Sequence, residues 1–344
     1  MTISICIPQY NRINYLLRSL QIIENQTYNN IEIVISDDCS TDNTEEKIRE
    51  LIPIYKYPIV FSKNEINKGY DFNYRRCIEL ASGEYAFVIG NDDSLVSPDD
   101  ITFLAEFLVK SDLPDIGFCN MKEEGTYNIL IFRALETKII GSGEKVALQN
   151  YSSFSFVGGL IYKKSTFDKY NTSKYDGSIY AQMYLGVFMV ASGCSLFSIK
   201  EPLVLKDLLV DGDIRNSYRE RLVKSWKEFN VEDGGLPSVM NVVINALKDA
   251  GKLKQHHIFY IFKRMYTVTY THWLLDYREN GAYPAAVGLM LGMNPFKIQN
   301  FDILSLINKI KITIIYGFSS VIGMSTPVFI FKKFKQKIFT FFKK

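Results

Sequence analysis

The chain is poor in the residues that build redox and zinc centres. Its five cysteines (Cys6, Cys39, Cys77, Cys119, Cys194) are scattered without a C-x-x-C pair, and its three histidines (His256, His257, His272) show no metal spacing. A disulfide frame or a zinc site needs clustered ligands, so the thiols read as reduced and structural. The histidines read as core or surface residues. No basic-then-apolar leader precedes the first strand-like run, which argues against secretion and makes the cytoplasm the expected compartment. Internal repeats and low-complexity tracts are also missing. Acid is absent after Asp302, where eight lysines follow, while the net charge of all 344 residues is only +3. Residues 1–302 are therefore net acidic. A slightly acidic body with a basic tail excludes a general nucleic-acid coat and points to a local anionic partner. A hydrophobic fraction of 47% and an aromatic fraction of 14% exclude disorder over most of the length.

Against these absences stands a regular alternation. Residues 3–8 (ISICIP) form an apolar run closed by proline, as in a buried parallel strand, and residues 14–25 repeat apolar side chains at helical spacing. Residues 31–36 (IEIVIS) predict a second strand. It leads into Asp37-Asp38 and then into Asp42-Asn43-Thr44-Glu45-Glu46, a helix start with a capping-box pattern. A third strand is predicted at 59–62, a helix at 71–81, a fourth strand at 85–89 ending in Gly90-Asn91-Asp92-Asp93, and a helix at 99–110. Such alternation implies an α/β fold, Rossmann-like, with a mostly parallel sheet and helices on both faces. Ligands of these sheets sit beyond the carboxyl ends of the strands. Asp37-Asp38 and Asn91-Asp92-Asp93 therefore belong to one rim. Residues 116–161 read as strand-like, 178–192 as a buried helix and 194–199 as a strand. From 236 to 292 the chain turns helical and aromatic, and clustered charges and glycines place a boundary near 215–235.

Four blocks carry a resemblance: ISICIPQYNR (3–12), QTYNNIEIVISDDCSTDNT (26–44), NKGYDFNYRRCIELASGE (67–84) and GNDDSLVSP (90–98). Their order and content make residues 1–120 similar to family 2 glycosyltransferases of GT-A fold. The resemblance implies a catalytic domain over 1–215, with a nucleotide-sugar and metal half (1–120) and an acceptor half (121–215). A helical subdomain (216–300) and a basic tail (301–344) would follow. It implies an enzyme that moves a sugar from a nucleotide-sugar donor with Mn²⁺ or Mg²⁺. The family's D-x-D motif is here Asn91-Asp92-Asp93, its first position an amide. By resemblance Asp93 holds the metal, and Asp92 the donor ribose or the metal's water shell. A cation there offsets charge on the departing diphosphate, and hard oxygen ligands suit these ions better than zinc. Asp38 resembles the family's aspartate that accepts the imide N–H of uracil or thymine, so a UDP-sugar is expected first and a dTDP-sugar second. Tyr10, just past Pro8, resembles the base-stacking aromatic, and Pro8 opens a loop suited to holding the base. Asn67 and Gly69, with Asn73, are expected to frame the donor pocket. Arg75 and Arg76 are within reach of the phosphates, but on a helix one of them must face away, and each by itself reads as a surface charge.

An inverting enzyme also needs a carboxylate to take the acceptor's proton. The acidic pair that heads the family's acceptor helix is missing here, and Gln182 stands at about its place. Asp176 becomes the expected base, with Asp168, Asp207, Asp211 and Asp213 as the other carboxylates. Asp211-Gly212-Asp213, a second D-x-D string, reads as a loop. Its neighbours Arg215, Arg219 and Arg221 carry the option of closing over the diphosphate. The missing pair keeps a non-catalytic nucleotide-sugar-binding scaffold as the alternative. A nucleotidyltransferase would want a Gly-rich basic loop after the first strand, and Gln9-Tyr10-Asn11-Arg12 is not one. In the tail, Ser325-Thr326-Pro327 reads as a helix start. Phe331, Phe334, Ile338 and Phe341 keep to one face, with lysines on the rest. Such a helix suits an anionic membrane surface. Residues 312–331 lack charge over twenty positions, long enough to span a bilayer, but their glycines, serines and Pro327 favour lying on it. A peripheral enzyme on the inner membrane face fits a lipid-linked glycan acceptor in capsule, O-antigen or related polysaccharide synthesis.

Overall fold

The computed structural model describes residues 1–125, 129–210 and 235–333. Asp211, Asp213, Arg215, Arg219, Arg221, and the tail from Phe334 onward lie outside them. Two compact units divide the chain at Met1–Arg215 and Asn216–Lys344.

The first unit begins with β1 (Ile3–Gln9), α1 (Ile13–Ile23), β2 (Ile31–Asp37), α2 (Thr44–Leu51), β3 (Ile59–Lys63), α3 (Tyr70–Glu79) and β4 (Tyr85–Val88). There follow β5 (Ser94–Leu95), α4 (Asp100–Lys110), β6 (Ile116–Glu123), β7 (Ile129–Ile131), β8 (Lys138–Gly141) and α5 (Glu144–Asn150). It ends with β9 (Leu160–Lys163), α6 (Lys164–Tyr170), α7 (Ala181–Ala191) and β10 (Leu196–Lys206). One ten-stranded sheet runs in the order β3-β2-β1-β4-β9-β6-β10-β5, with β7 beside β6 and β8 beside β10. Strands β1 to β4 are mutually parallel where they pair. β9 is antiparallel to both neighbours, β4 and β6, so β6 and β10 again point the same way as β4. The long strands thus deliver their carboxyl ends to one rim, the expected α/β design of mixed rather than strictly parallel pairing.

Packing follows from the sequence patterns. Ile3, Ile5 and Ile7 of β1 alternate toward Leu16, Leu20 and Ile23 of α1 and Leu104 and Leu108 of α4, in one buried cluster. Each such side chain contributes roughly 1.5–3 kcal/mol on burial. From the other face, Cys77 of α3 donates its thiol to the Val34 carbonyl, so β1 and β2 are covered on both sides. All five cysteines are free. Two expectations need correction. The stretch 116–161 is not all strand: Gly141 and Gly143 adopt φ +122° and +92°, a region open to glycine, and turn the chain into α5. The capping box at 42–46 is absent too. The Asp42 carboxylate caps α2, accepting from the Thr44 N–H at 3.1 Å, and also accepts the Ile13 N–H at 3.0 Å.

The second unit contains α8 (Leu236–Asp249), α9 (Gln255–Arg264), a π-helical stretch (Met265–Tyr270), α10 (Thr271–Glu279), α11 (Tyr283–Gly292) and α12 (Leu306–Ser325). Helical structure breaks at Thr326-Pro327 and resumes at 328–333. Proline bars continuation because it lacks the N–H and clashes with the preceding turn. The twenty-residue helix is therefore Leu306–Ser325, displaced from the charge-free stretch 312–331 and containing Lys309 and Lys311. Phe331 does not belong to a lipid-facing stripe: it is 1% exposed and packs beside His272.

Candidate active site

The rim beyond β1, β2, β3 and β4 is knitted by polar side chains, which fixes where the carboxylates point. Asn73 of α3 donates to the carbonyls of Gln9 at 3.1 Å and Ser36 at 2.8 Å, pinning the ends of β1 and β2 together. It lies beneath the rim and acts as a staple. Asn91 donates to Gln9 Oε1 at 3.0 Å, joining the end of β4 to β1. Asn11 and Arg12 both take left-handed backbone (φ 54° and 62°), which turns the chain sharply after Tyr10 and leaves that ring 46% exposed. Pro8 is half-buried at the end of β1.

Asp37 shapes the β2 loop, accepting from the Ser40 hydroxyl and N–H. Burial raises its pKa, offset in part by those hydrogen bonds. Asp38 is 3% exposed, and it holds the loop after β3. It accepts Asn64 Nδ2 at 2.9 Å, the Lys68 N–H at 2.8 Å and the Gly69 N–H at 2.8 Å. An ionised carboxylate has about four acceptor positions, so about one stays open among the described residues. Gly69 meets this geometry with φ +86° and also donates to Asn67 Oδ1 at 3.0 Å. Thus Pro8, Tyr10, Asp38, Asn67 and Gly69 surround one rim.

Asp92 and Asp93 close that rim, and they differ. Arg12 Nη1 donates to Asp92 Oδ2 at 2.6 Å. Asp93 is 5% exposed and, among the described residues, has no cation within ion-pairing distance. Among the described residues its oxygens accept long contacts, from the Gly90 N–H at 3.3 Å and the Asp207 N–H at 3.2 Å. Burial, then the charge of Asp92, pushes its pKa up to about 7. Two glycines guard the space: a Cβ on Gly90 or Gly158 would lie 2.8 or 2.9 Å from Asp93 Oδ2. Ser19 of α1 anchors the backbone, donating to the Asp93 carbonyl at 2.6 Å. The donors are hard oxygens, a carboxylate without a paired cation among the described residues included, so they fit Mn²⁺ or Mg²⁺ rather than a soft metal. Among the described residues no group of three or more His, Cys, Asp or Glu could enclose an ion unaided. A hard cation bound by one or two carboxylates ordinarily completes its shell with substrate phosphates and water.

The acceptor-side residues are placed differently. Asp176 is clamped by Arg75, which donates Nε to Oδ1 at 2.8 Å and Nη2 to Oδ2 at 2.5 Å. Arg75 is 5% exposed, so it is no surface charge; Arg76 faces outward beside Glu79. Asp71, on the first turn of α3, accepts the N–H of Ile179 at 2.7 Å and of Ala181 at 3.1 Å, capping α7 from another element. Burial raises its pKa, opposed by those N–H groups. Gln182 is 3% exposed, and its Oε1 has no hydrogen-bond partner among the described residues. Asp168 pairs with Lys164 on the surface, and Asp207 with Lys206. Sequence reasoning missed the approach of Asp207 and Gly158 to Asp93, and the Arg12–Asp92 pair. Only the Asn-Asp-Asp block itself signalled a centre there.

Comparison with known proteins bears on this geometry. Residues 4–171 match the model of glycosyl transferase family 2. The abequosyltransferase RfbV of Salmonella typhimurium is 35% identical over 226 residues, covering 60% of this chain and 66% of that one. The alignment therefore stops just short of two thirds of that relative's length. The GalNAc(5)-diNAcBac-PP-undecaprenol beta-1,3-glucosyltransferase of Campylobacter jejuni is 22% identical over 224 residues, 63% of this chain and 70% of that one. Among solved structures, S. aureus TarS 1-349 in complex with UDP-GlcNAc aligns over 98% of this chain and 92% of its own, with a TM-score of 0.60. At 15% identity that likeness speaks to fold alone. Residues 4–171 therefore carry the sequence pattern of glycosyl transferase family 2, on the GT-A fold.

Proposed function

We propose that the protein transfers a sugar, with inversion, from a nucleotide-sugar donor to a lipid-linked glycan acceptor in surface-polysaccharide assembly. The observation that carries this reading is Asp93: a buried carboxylate on the ligand rim, screened by two glycines and, among the described residues, without an ion-paired cation. Asp93, with Asp92 beside it, would hold Mn²⁺ or Mg²⁺. When bound, that ion supplies Lewis-acid neutralisation of the diphosphate. Tyr10 offers an exposed ring for the base, and Asp38 its open acceptor position for an imide N–H, which suits the uracil of a UDP-sugar, the first choice, and equally the thymine of a dTDP-sugar. The loop at Asn67 and Gly69, fixed by Asp38, walls the nucleoside side. Asp176 is assigned to receive the acceptor hydroxyl's proton as the new bond forms at the anomeric carbon and the bond to the diphosphate oxygen breaks. The family pattern over residues 4–171 supports the class of reaction. The lipid-linked acceptor, a peripheral site at the inner membrane face, and attachment through the basic C-terminal segment rest on the charge pattern after Asp302.

Donor hydrolysis tests the reading. With Mn²⁺ and a panel of UDP-, dTDP- and GDP-sugars, the wild type should release nucleoside diphosphate. Asp93→Ala should lose on the order of a thousandfold or more in kcat, several kcal/mol of charge stabilisation. Its thermal midpoint should hold or rise, because a buried unpaired carboxylate is gone. Gln182→Ala should keep most turnover. One observation favours the alternative of a non-catalytic nucleotide-sugar-binding scaffold: an amide, Gln182, stands buried at the place where the family carries acid, its Oε1 without a partner among the described residues. Donor binding by calorimetry without turnover of any sugar would establish that alternative.

A further inference from the structure

Helix α12 is long and apolar enough to cross a bilayer, yet it is built with two unlike faces. One face, Ile312, Ser319, Ser320 and Gly323, is buried within its own unit. A Cβ on Gly323 would lie 2.5 Å from Leu274 Cδ1, so α10 and α12 approach as closely as glycine permits. Polar groups line this seam. Tyr270 and Ser320 hydroxyls bond at 2.7 Å, and Tyr316 donates to the Met290 carbonyl at 2.8 Å. Arg278 donates to the carbonyls of Gly323 at 2.6 Å and Thr326 at 2.9 Å, placing a cation at the C-terminal end of α12, where the helix dipole favours it. A helix tied down by hydroxyls and a guanidinium cannot be ringed by lipid, because those groups would enter the hydrocarbon with it.

The opposite face faces outward. At helical spacing Ile307, Ile310, Ile314, Phe318 and Val321 fall on one stripe and are 66, 52, 55, 69 and 63% exposed. The stripe runs about 21 Å at 1.5 Å per residue. An apolar surface of this extent marks an interaction site. The charges around it select the occupant. Lys309 and Lys311 stand near its start, Lys332 and Lys333 beyond its end, and no acid follows Asp302. A second copy of the chain would set lysine against lysine. An anionic lipid surface is complementary.

We propose that α12 lies in the plane of the membrane interface, its Ile307–Val321 stripe sunk into the headgroup boundary and the flanking lysines among anionic headgroups. This deepens the membrane partner of the proposed function and rests on it only for the acceptor's location. The test uses the full chain and flotation with vesicles of phosphatidylcholine, alone or mixed equally with phosphatidylglycerol. Binding should favour the anionic vesicles and fall severalfold in Lys332→Glu/Lys333→Glu and at high salt. Ile310→Ser/Ile314→Ser/Phe318→Ser should weaken it at least tenfold while donor hydrolysis stays unchanged. Phe318→Trp reports depth independently: lipids brominated near the headgroup should quench it more than lipids brominated near the chain end. Deeper quenching, or flotation unaffected by the triple substitution, overturns the proposal, as does a triple variant that converts a dimer to monomers without altering flotation. Asp93→Ala should float like the wild type, so a failure of the enzymatic reading is read separately.

Discussion

The two sides of the sheet serve the rim by different means. On the β1 to β4 side, side chains carry the chemistry: Asp38, Asp92 and Asp93 lie just past strand ends, each within a short local motif. On the β9, β6 and β10 side, the contribution to Asp93 is largely backbone and empty space. The Asp207 N–H reaches its carboxylate, the Leu208 N–H donates to the Asp92 carbonyl at 2.9 Å, and Gly158 leaves room beside it. The first kind of contribution depends on residue type at fixed spacing. The second depends on where a distant strand happens to end.

Asp176 offers the sharpest way to break that contrast, since as a base it would bring side-chain chemistry from the second side. Asp176→Asn should then lower kcat on the order of a hundred- to ten-thousandfold with donor KM little changed. Arg75→Met, which frees the carboxylate, should cost far less turnover. Equal losses of kcat and of thermal stability in both variants would instead make the pair a structural anchor, whose breakage leaves a charge buried at a cost of about 3 kcal/mol.

A smaller effect is expected at Gly158. In Gly158→Ala the added methyl would meet Met121 Cε at 2.6 Å and Asp93 Oδ2 at 2.9 Å. The thioether end can yield, but the carboxylate must shift. Half-saturation by Mn²⁺ should rise by on the order of tenfold, a misplacement well under the 1 Å that costs about a hundredfold. Unchanged metal dependence would show that the second side leaves Asp93 free.

The smallest effect is on stability. Burial, first of all, holds both Asp93 and Asp100 at about 7, above the ordinary 3.8. Between about pH 4 and 7 the folded chain keeps protons that the unfolded chain releases, so stability falls as pH rises across that window. Mn²⁺ competes with the proton at Asp93 and should recover part of the loss above pH 6. Asp100 caps its own turn, accepting the N–H of Val96 at 2.8 Å and of Ser97 at 2.7 Å, and should not respond to metal. Calorimetry should give Asp100→Asn a flatter pH profile that keeps its Mn²⁺ response, and Asp93→Asn a flatter profile without one.

Much of the fold was legible because its determinants are local. Ile3, Ile5 and Ile7 alternate, proline closes their run, and helical periodicity follows, so strand and helix are specified within about twenty residues. The α5 helix was not legible, because the glycines that turn into it also suit strand ends. Asp71 opens the helix predicted at 71–81, and nothing local shows that it caps α7, more than a hundred residues away. Arg75 and Arg76 are neighbours of like charge, yet helix rotation buries one against Asp176 and leaves the other outside.

By itself the sequence determined the alternation of strands and helices, the carboxylates at their ends and the unbalanced lysines of the tail, since each depends on residue type and short spacing. Tertiary structure alone decided which carboxylate lacks a paired cation among the described residues, which is clamped by Arg75, and which face of α12 looks outward. Those outcomes depend on burial and on partners brought from distant parts of the chain, and neither quantity exists until the chain has packed.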